Sequence, residues 1–162
     1  MTAPMPAPAQ RTSLPAYWVD IHAHANAPAP TRGWHRQLHA IAGALFSEDG
    51  HAPPEARLNW CVAQIDDLLT QVRGRGALAY RVAVFAVSWL APLLIFRMPR
   101  FARLSQEQRV QALQRVEQSP LKTLLFALKA LLCIVYFEHP DAAEATGFDG
   151  KGLLEVRDDV QR

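Results

Sequence analysis

The sequence predicts an all-α protein, with five to six helices in an orthogonal or irregular bundle that follows an extended, proline-rich N-terminal arm. Apolar residues recur every three or four positions through most of the chain, which is the spacing of one helix face. Proline, glycine and capping residues separate these apolar segments. Six of the 12 prolines lie within the first thirty residues, where they disfavour helix. We therefore expect an arm over residues 1–31, a helical domain over residues 32–150 and a C-terminal tail over residues 151–162.

The length and composition are sufficient for one hydrophobic core. The chain has 162 residues, of which 50% are hydrophobic and 20% are charged, and a chain of this length is normally a single domain. Its 17 basic and 15 acidic residues give a formal net charge of +2. Because this near balance is not the strongly basic pattern of proteins that bind nucleic acid, we expect no nucleic-acid partner.

The first two predicted helices each have one apolar face. The first face consists of Trp34, Leu38, Ile41 and Leu45. The second helix starts after Pro53-Pro54, where proline is tolerated, and is expected to stop at Gly74-Arg75-Gly76. Its longer apolar stripe consists of Leu58, Cys61, Val62, Ile65, Leu68, Leu69 and Val72. Such stripes are typical of helices that pack on a core.

Residues 80–96, YRVAVFAVSWLAPLLIF, form the most apolar segment, which is interrupted only by Arg81 and Ser88. A membrane-spanning helix needs about 20 apolar residues. This segment is shorter, begins beside an arginine and contains Pro92, so we expect a buried or partner-covered helix that does not span a membrane. Membrane contact without spanning remains an alternative, in which the protein is a small membrane-associated scaffold.

Two further helices are predicted to abut at Ser119-Pro120. Ser105 and Gln108 have the spacing of a capping box at the start of the first helix, and proline is tolerated in the first turn of the second. Residues 121–137 carry apolar side chains on every side of a helix. Because a helix of this kind must be covered on all sides, we expect part of its surface to bind another protein.

Residues 101–150 contain the most informative motifs of the chain. The motifs begin one residue earlier, at Arg100. They are Arg100-Phe101, Leu104-Ser105, Ser119-Pro120-Leu121, the apolar run 124–132, Tyr136-Phe137, Pro140 and Gly147-Phe148-Asp149-Gly150. This set resembles the gluconate 2-dehydrogenase subunit 3 family, small subunits of bacterial flavin-dependent dehydrogenase complexes. The resemblance implies a non-catalytic subunit that stabilises or matures a large FAD-containing subunit, often of the glucose-methanol-choline type. It also implies that the large subunit oxidises an alcohol, sugar or sterol hydroxyl and passes electrons to a cytochrome or quinone.

The partner subunit is expected to hold the flavin. This chain contains none of the motifs that bind a dinucleotide, a nucleoside triphosphate or a haem, so we expect no catalytic, cofactor-binding or metal-binding residue in it. The expected interface consists of large apolar side chains: Tyr17, Trp18, Trp89, Phe101, Leu125, Phe126, Tyr136, Phe137 and Phe148. Tyr17 and Trp18 lie in the arm, which we expect to become ordered along the flavoprotein.

The N-terminal arm predicts no export signal. It has no apolar segment after a basic start and no Arg-Arg pair, so neither a secretory nor a twin-arginine signal is indicated. Relatives, as the resemblance implies, often carry a twin-arginine signal on the small subunit. The departure from that pattern favours a cytoplasmic complex, with peripheral contact to the inner membrane left open.

One motif indicates a different class, a small metal-binding hydrolase. Asp20, His22 and His24 have the Asp-x-His-x-His pattern of metal-dependent amidohydrolases, in which two imidazoles share a metal. Further ligands would have to come from other strands of a barrel of about 250 residues, whereas this chain predicts helices. We therefore expect two polar histidines in the arm and keep the hydrolase using His22 and His24 as an alternative.

Cys61 and Cys133 lie in apolar helical patterns that favour buried thiols, although their spacing does not exclude a disulfide bond between them.

Overall fold

A computed structural model describes residues 24–142, apart from residues 25, 32, 73, 99 and 140. This part of the chain forms five α-helices and one 3₁₀ turn and contains no β-strand. The helices are α1 (Gly33–Leu45), α2 (Glu55–Val72), α3 (Arg75–Leu93), α4 (Gln106–Glu117) and α5 (Lys122–Glu138), and the 3₁₀ turn is Phe101–Arg103. The all-α fold class predicted from the sequence is confirmed.

α3 is the central helix of the bundle. It packs against α1, α2, α4, α5 and the 3₁₀ turn, and its Val84, Val87 and Ala91 side chains are fully buried. A single cluster of buried apolar side chains includes residues from all five helices. Because α5 packs on α2, α3 and α4, one side of α5 belongs to this cluster as well.

The junction between α2 and α3 is shorter than the sequence pattern indicates. α2 ends at Val72, and the turn depends on Gly74, whose φ of 116° is a conformation that other residues disfavour. Gly76, predicted to help stop α2, lies instead in the first turn of α3. A turn that needs only one glycine leaves the next residues free to enter the helix, so α3 begins five residues before Tyr80.

α3 ends in a tight turn around Pro92. This proline lies in the last turn of the helix and is buried. Its carbonyl oxygen accepts hydrogen bonds from the backbone N–H groups of Ile95 at 3.2 Å and Arg97 at 2.9 Å. Phe96 between them has a φ of 55°, the conformation in which glycine most often ends a helix. The chain then continues to the 3₁₀ turn, where Phe101 is fully buried.

The predicted capping box at the start of α4 is confirmed. The Ser105 Oγ accepts a hydrogen bond of 3.3 Å from the Gln108 backbone N–H, and the Gln108 side chain accepts one of 3.3 Å from the Ser105 N–H. This reciprocal pair is the capping box. At the next junction the Ser119 Oγ accepts a hydrogen bond of 3.1 Å from the backbone N–H of Leu121. Because α5 begins at Lys122 with Leu121 as its N-cap, Pro120 lies before the first turn of α5 and not, as the sequence predicted, within it.

The predicted arm and tail lie almost entirely outside the described residues. Of residues 1–31 the structure describes residue 24 and residues 26–31, and it describes none beyond residue 142. The domain boundaries at 31 and 150 therefore stay predictions.

Cys61 is buried, Cys133 is half-buried, and both are free thiols. Burial raises the pKa of the Cys61 thiol to about 12, which makes it unreactive at neutral pH.

Candidate protein-interaction surface

The outer side of α5 presents an apolar surface to solvent. We name it the α5 face, and its members are Phe126, Ala127, Ala130, Ile134 and Phe137. Phe126 and Ala127 are adjacent, and the later members follow at intervals of three or four residues, which places all five on one side of the helix, over about 17 Å of its length. The opposite side buries Leu125, Leu128, Leu132 and Val135. Phe126 is the most exposed large side chain of this face, at 71%.

A hollow of about 380 Å³ adjoins Phe126 at the start of α5. It is lined by Glu117, Lys122, Thr123, Leu125, Phe126 and Lys129. Lys129 forms an ion pair with Glu117 on its rim, which connects α5 to the last turn of α4. An apolar side chain of a partner that packed on Phe126 would therefore have the Lys129–Glu117 ion pair beside it, as in the apolar core and polar rim of a protein interface.

An aromatic cluster orients the other end of the α5 face. The Tyr136 ring stacks on Phe46 with centroids 3.8 Å apart, and the Phe137 ring meets both edge-on, at 6.1 Å and 5.4 Å from Phe46 and Tyr136. Arg57 donates a hydrogen bond of 3.1 Å to the Tyr136 hydroxyl. These contacts restrict the Phe137 ring before any partner binds, which lowers the entropy lost on binding.

A second apolar surface lies along α3. We name it the α3 face, and its exposed members are Leu78, Val82, Phe85, Trp89 and Leu93. The Phe85 and Trp89 rings are 5.6 Å apart, and the Arg100 guanidinium lies 5.2 Å from the Trp89 ring centre. By length and composition α3 is long and apolar enough to cross a membrane. Core helices of soluble proteins pass the same test, and the inner side of α3 lies in the core of this bundle.

Carboxylates of α2 hold two of the described histidines. The His24 Nε2 lies 2.8 Å from the Asp67 carboxylate, and the His35 Nε2 lies 3.1 Å from that of Asp66. Arg81 of α3 approaches Asp66 at 3.6 Å, so these contacts tie α1 and α3 to α2. Within the described ranges no three His, Cys, Asp or Glu side chains are grouped so that they could hold a metal ion. His22 lies outside those ranges, so a shared metal at His22 and His24 stays an untested alternative.

No family model, curated protein or solved structure matches this chain. What the two faces bind is therefore inferred from their exposure, spacing and charge, together with the sequence resemblance.

The residues predicted to contact a partner fall into three groups. Trp89 lies on the α3 face, and Phe126 and Phe137 lie on the α5 face, where all three are exposed. Phe101, Leu125 and Tyr136 are buried among side chains of this chain, so they support the two faces from inside. Tyr17, Trp18 and Phe148 lie outside the described residues.

Sequence reasoning did not single out Ile134 of the α5 face or Leu78, Val82 and Phe85 of the α3 face. The spacing of Ile134 from Phe126 and Phe137 groups these three residues on one side. The spacing alone does not predict which side of α5 is exposed, because the helix carries apolar residues on all sides. The same ambiguity applies to α3.

Proposed function

We propose that this protein is a non-catalytic accessory subunit of a flavin-dependent dehydrogenase and that its α5 face binds the large, FAD-containing subunit. The observation that carries the proposal is the exposure of Phe126, Ile134 and Phe137 on one side of α5. α5 lies within the stretch whose motifs resemble the gluconate 2-dehydrogenase subunit 3 family. The same helix therefore carries part of the resemblance and an uncovered apolar surface.

The composition of the α5 face suits a protein partner. Single exposed apolar residues are common on soluble proteins, but several on one side of one helix form a patch of the kind that marks interaction sites. Phenylalanine and isoleucine side chains that enter pockets of a partner gain stabilisation in proportion to the apolar area removed from water. The ion pair of Lys129 with Glu117 supplies a polar edge beside Phe126.

In this proposal the large subunit performs the chemistry. It holds FAD, oxidises an alcohol, sugar or sterol hydroxyl and transfers electrons to a cytochrome or quinone. The small subunit stabilises or matures the large one by covering apolar surface that each would otherwise expose. The complex is proposed to be cytoplasmic, with peripheral contact to the inner membrane.

Co-purification from cells that also produce the large flavoprotein subunit tests this function. The complex should show a flavin absorption spectrum and reduce an artificial electron acceptor, whereas the isolated chain should be colourless. Phe126→Ser and Ile134→Ser should each weaken the complex, because truncating a central apolar anchor typically costs about 2–4 kcal/mol, or at least about 30-fold in Kd.

Val72→Ser is the matched control. Val72 is an exposed apolar residue at the end of α2 that belongs to neither face, so its substitution should leave the flavoprotein bound. Circular dichroism should show the same helix content for all three variants. Stoichiometric flavin on the isolated chain would contradict the accessory role, and a complex that tolerates both α5 substitutions would move the interface elsewhere.

A further inference from the structure

The segment after α3 exposes two large apolar side chains more completely than any other part of the described chain. Phe96 is 98% exposed and Met98 is 91% exposed. We name these two residues the Phe96 tip. The tip begins three residues after Leu93, the last residue of the α3 face, and the two residues between them are half-buried against the core.

The backbone at Phe96 is also unfavourable for the residue it carries. Its φ of 55° is rare for a bulky side chain, and the Phe96 N–H donates to the Leu93 carbonyl oxygen at 3.0 Å to close the turn. Glycine would take this conformation without strain and would expose no ring. The backbone strain costs stability, and the exposed ring recovers none of it by burial, as expected of a residue that contacts something outside the chain.

The charge around the tip has one sign. Between Asp67 and Glu107 the sequence contains no acidic residue, but it contains six arginines, at positions 73, 75, 81, 97, 100 and 103. Arg97, Arg100 and Arg103 are exposed. Among the ion pairs of the described residues none involves these three arginines. The tip is therefore flanked by positive charge that no described carboxylate of this chain neutralises.

A groove along the α3 face supplies a place for an anionic group. It has a volume of about 370 Å³ and lies between the start of α1, the α3 face and the 3₁₀ turn. Arg36, Arg100 and Arg103 line it together with Phe85 and Trp89, and no carboxylate is among its lining residues. Guanidinium groups bind phosphate with paired hydrogen bonds, and the aromatic walls suit the apolar part of a lipid.

These observations favour an anionic membrane over a protein pocket. A protein partner would have to supply both a pocket for Phe96 and carboxylates for several separate arginines, whereas an anionic bilayer presents phosphates on all sides of an inserted ring. α3 cannot enter the bilayer as a span while Val84 and Val87 remain fully buried in the bundle. The α3 face can only lie along the membrane surface.

We propose that this protein docks on anionic phospholipid membranes through the Phe96 tip and the α3 face. Phe96 and Met98 insert at the boundary between headgroups and acyl chains. Arg97, Arg100 and Arg103 contact lipid phosphates, and the groove beside Trp89 receives one headgroup. This docking does not rest on the flavoprotein partner and leaves the α5 face free.

Sedimentation of the purified full chain with lipid vesicles tests the proposal. Binding should be strong to vesicles of phosphatidylcholine with about one-third phosphatidylglycerol and weak to phosphatidylcholine alone, because each arginine near an anionic surface contributes about fivefold in affinity. Phe96→Gly should lower binding by about tenfold or more, since it removes an inserted aromatic ring. Arg97→Glu combined with Arg100→Glu should abolish the preference for anionic vesicles.

Thermal unfolding separates these effects from misfolding. Phe96→Gly should leave the melting temperature unchanged or higher, because the backbone strain at this position is relieved, and Val72→Ser should bind vesicles like the wild type. Absence of vesicle binding, equal binding to both lipid compositions, or binding that survives Phe96→Gly would each overturn the proposal. So would a Phe96→Gly variant that keeps vesicle binding but releases the flavoprotein, since the tip would then be a protein contact.

Discussion

At the scale of single residues, His39 is a titratable group whose protonated form is disfavoured by burial. Its Nε2 is buried and has no hydrogen-bond partner among the described residues. Burial lowers the pKa of His39, while the Asn59 side chain and the charge of Glu55 act to raise it and Arg109 acts to lower it. Burial also lowers the pKa of His139, against the raising effect of Asp141.

Both shifts predict that the protein is destabilised by mild acid. The unfolded chain binds protons at these histidines more readily than the folded chain, so lowering the pH through about 6.5 favours unfolding. His39→Gln should therefore flatten the decline of melting temperature between about pH 7.5 and pH 5, as measured by circular dichroism. His139→Gln should remove a further part of the decline. An unchanged slope in both variants would show that other groups cause it.

At the scale of elements, the turn between α2 and α3 tests how two neighbouring glycines differ. Gly74 has a φ of 116° and open space where the methyl group of an alanine would lie, whereas Gly76 lies in the first turn of α3 near the Val72 side chain. At Gly74 the backbone conformation disfavours any residue other than glycine, whereas at Gly76 it does not. The two positions therefore predict opposite effects for the same substitution.

Gly74→Ala should destabilise the protein by about 1–3 kcal/mol, the usual range for a residue in a conformation that suits glycine alone. Gly76→Ala should stabilise it by about 0.5–1 kcal/mol, because alanine loses less backbone entropy in a helix. Urea denaturation of both variants measures the difference. Equal losses would mean that Gly76 has a packing role that the structure does not indicate.

At the scale of the whole molecule, the continuous core predicts one cooperative unfolding transition. Leu128 is fully buried and Phe126, two residues earlier on α5, is largely exposed. Leu128→Ala should lower the free energy of unfolding by about 2–5 kcal/mol, whereas Phe126→Ala should change it by no more than about 0.5 kcal/mol. Far-ultraviolet circular dichroism and tryptophan fluorescence should give coincident transitions for both variants. Separate transitions would show that α5 unfolds independently.

Local chemistry made the helix boundaries around α4 predictable from the sequence. The capping box of Ser105 with Gln108 and the Ser119-Pro120 junction both act within a few residues, so their effect does not depend on the rest of the fold. The α2–α3 junction was predicted less well, because either Gly74 or Gly76 could provide the turn. The backbone at Gly74 alone takes that role.

The candidate site was only partly predictable for a related reason. Leu125 and Phe126 are adjacent, apolar and equally suited to a pocket of a partner, yet the structure buries the first and exposes the second. Phe101 and Tyr136 are likewise predicted interface residues of large apolar type, and both lie inside the bundle. Residue type shows that a side chain is apolar, but it does not show whether the side chain is buried by the rest of this chain or is left exposed for a partner.

The sequence by itself determined that this chain is helical and placed several of its helix ends, because periodicity and capping arise from the geometry of neighbouring residues. Only the tertiary structure decided which sides of α3 and α5 stay uncovered. Those helices are apolar on most sides, and burial depends on helices that are distant in the sequence and fold back against them. The α5 face, the α3 face and the Phe96 tip are what that packing leaves exposed.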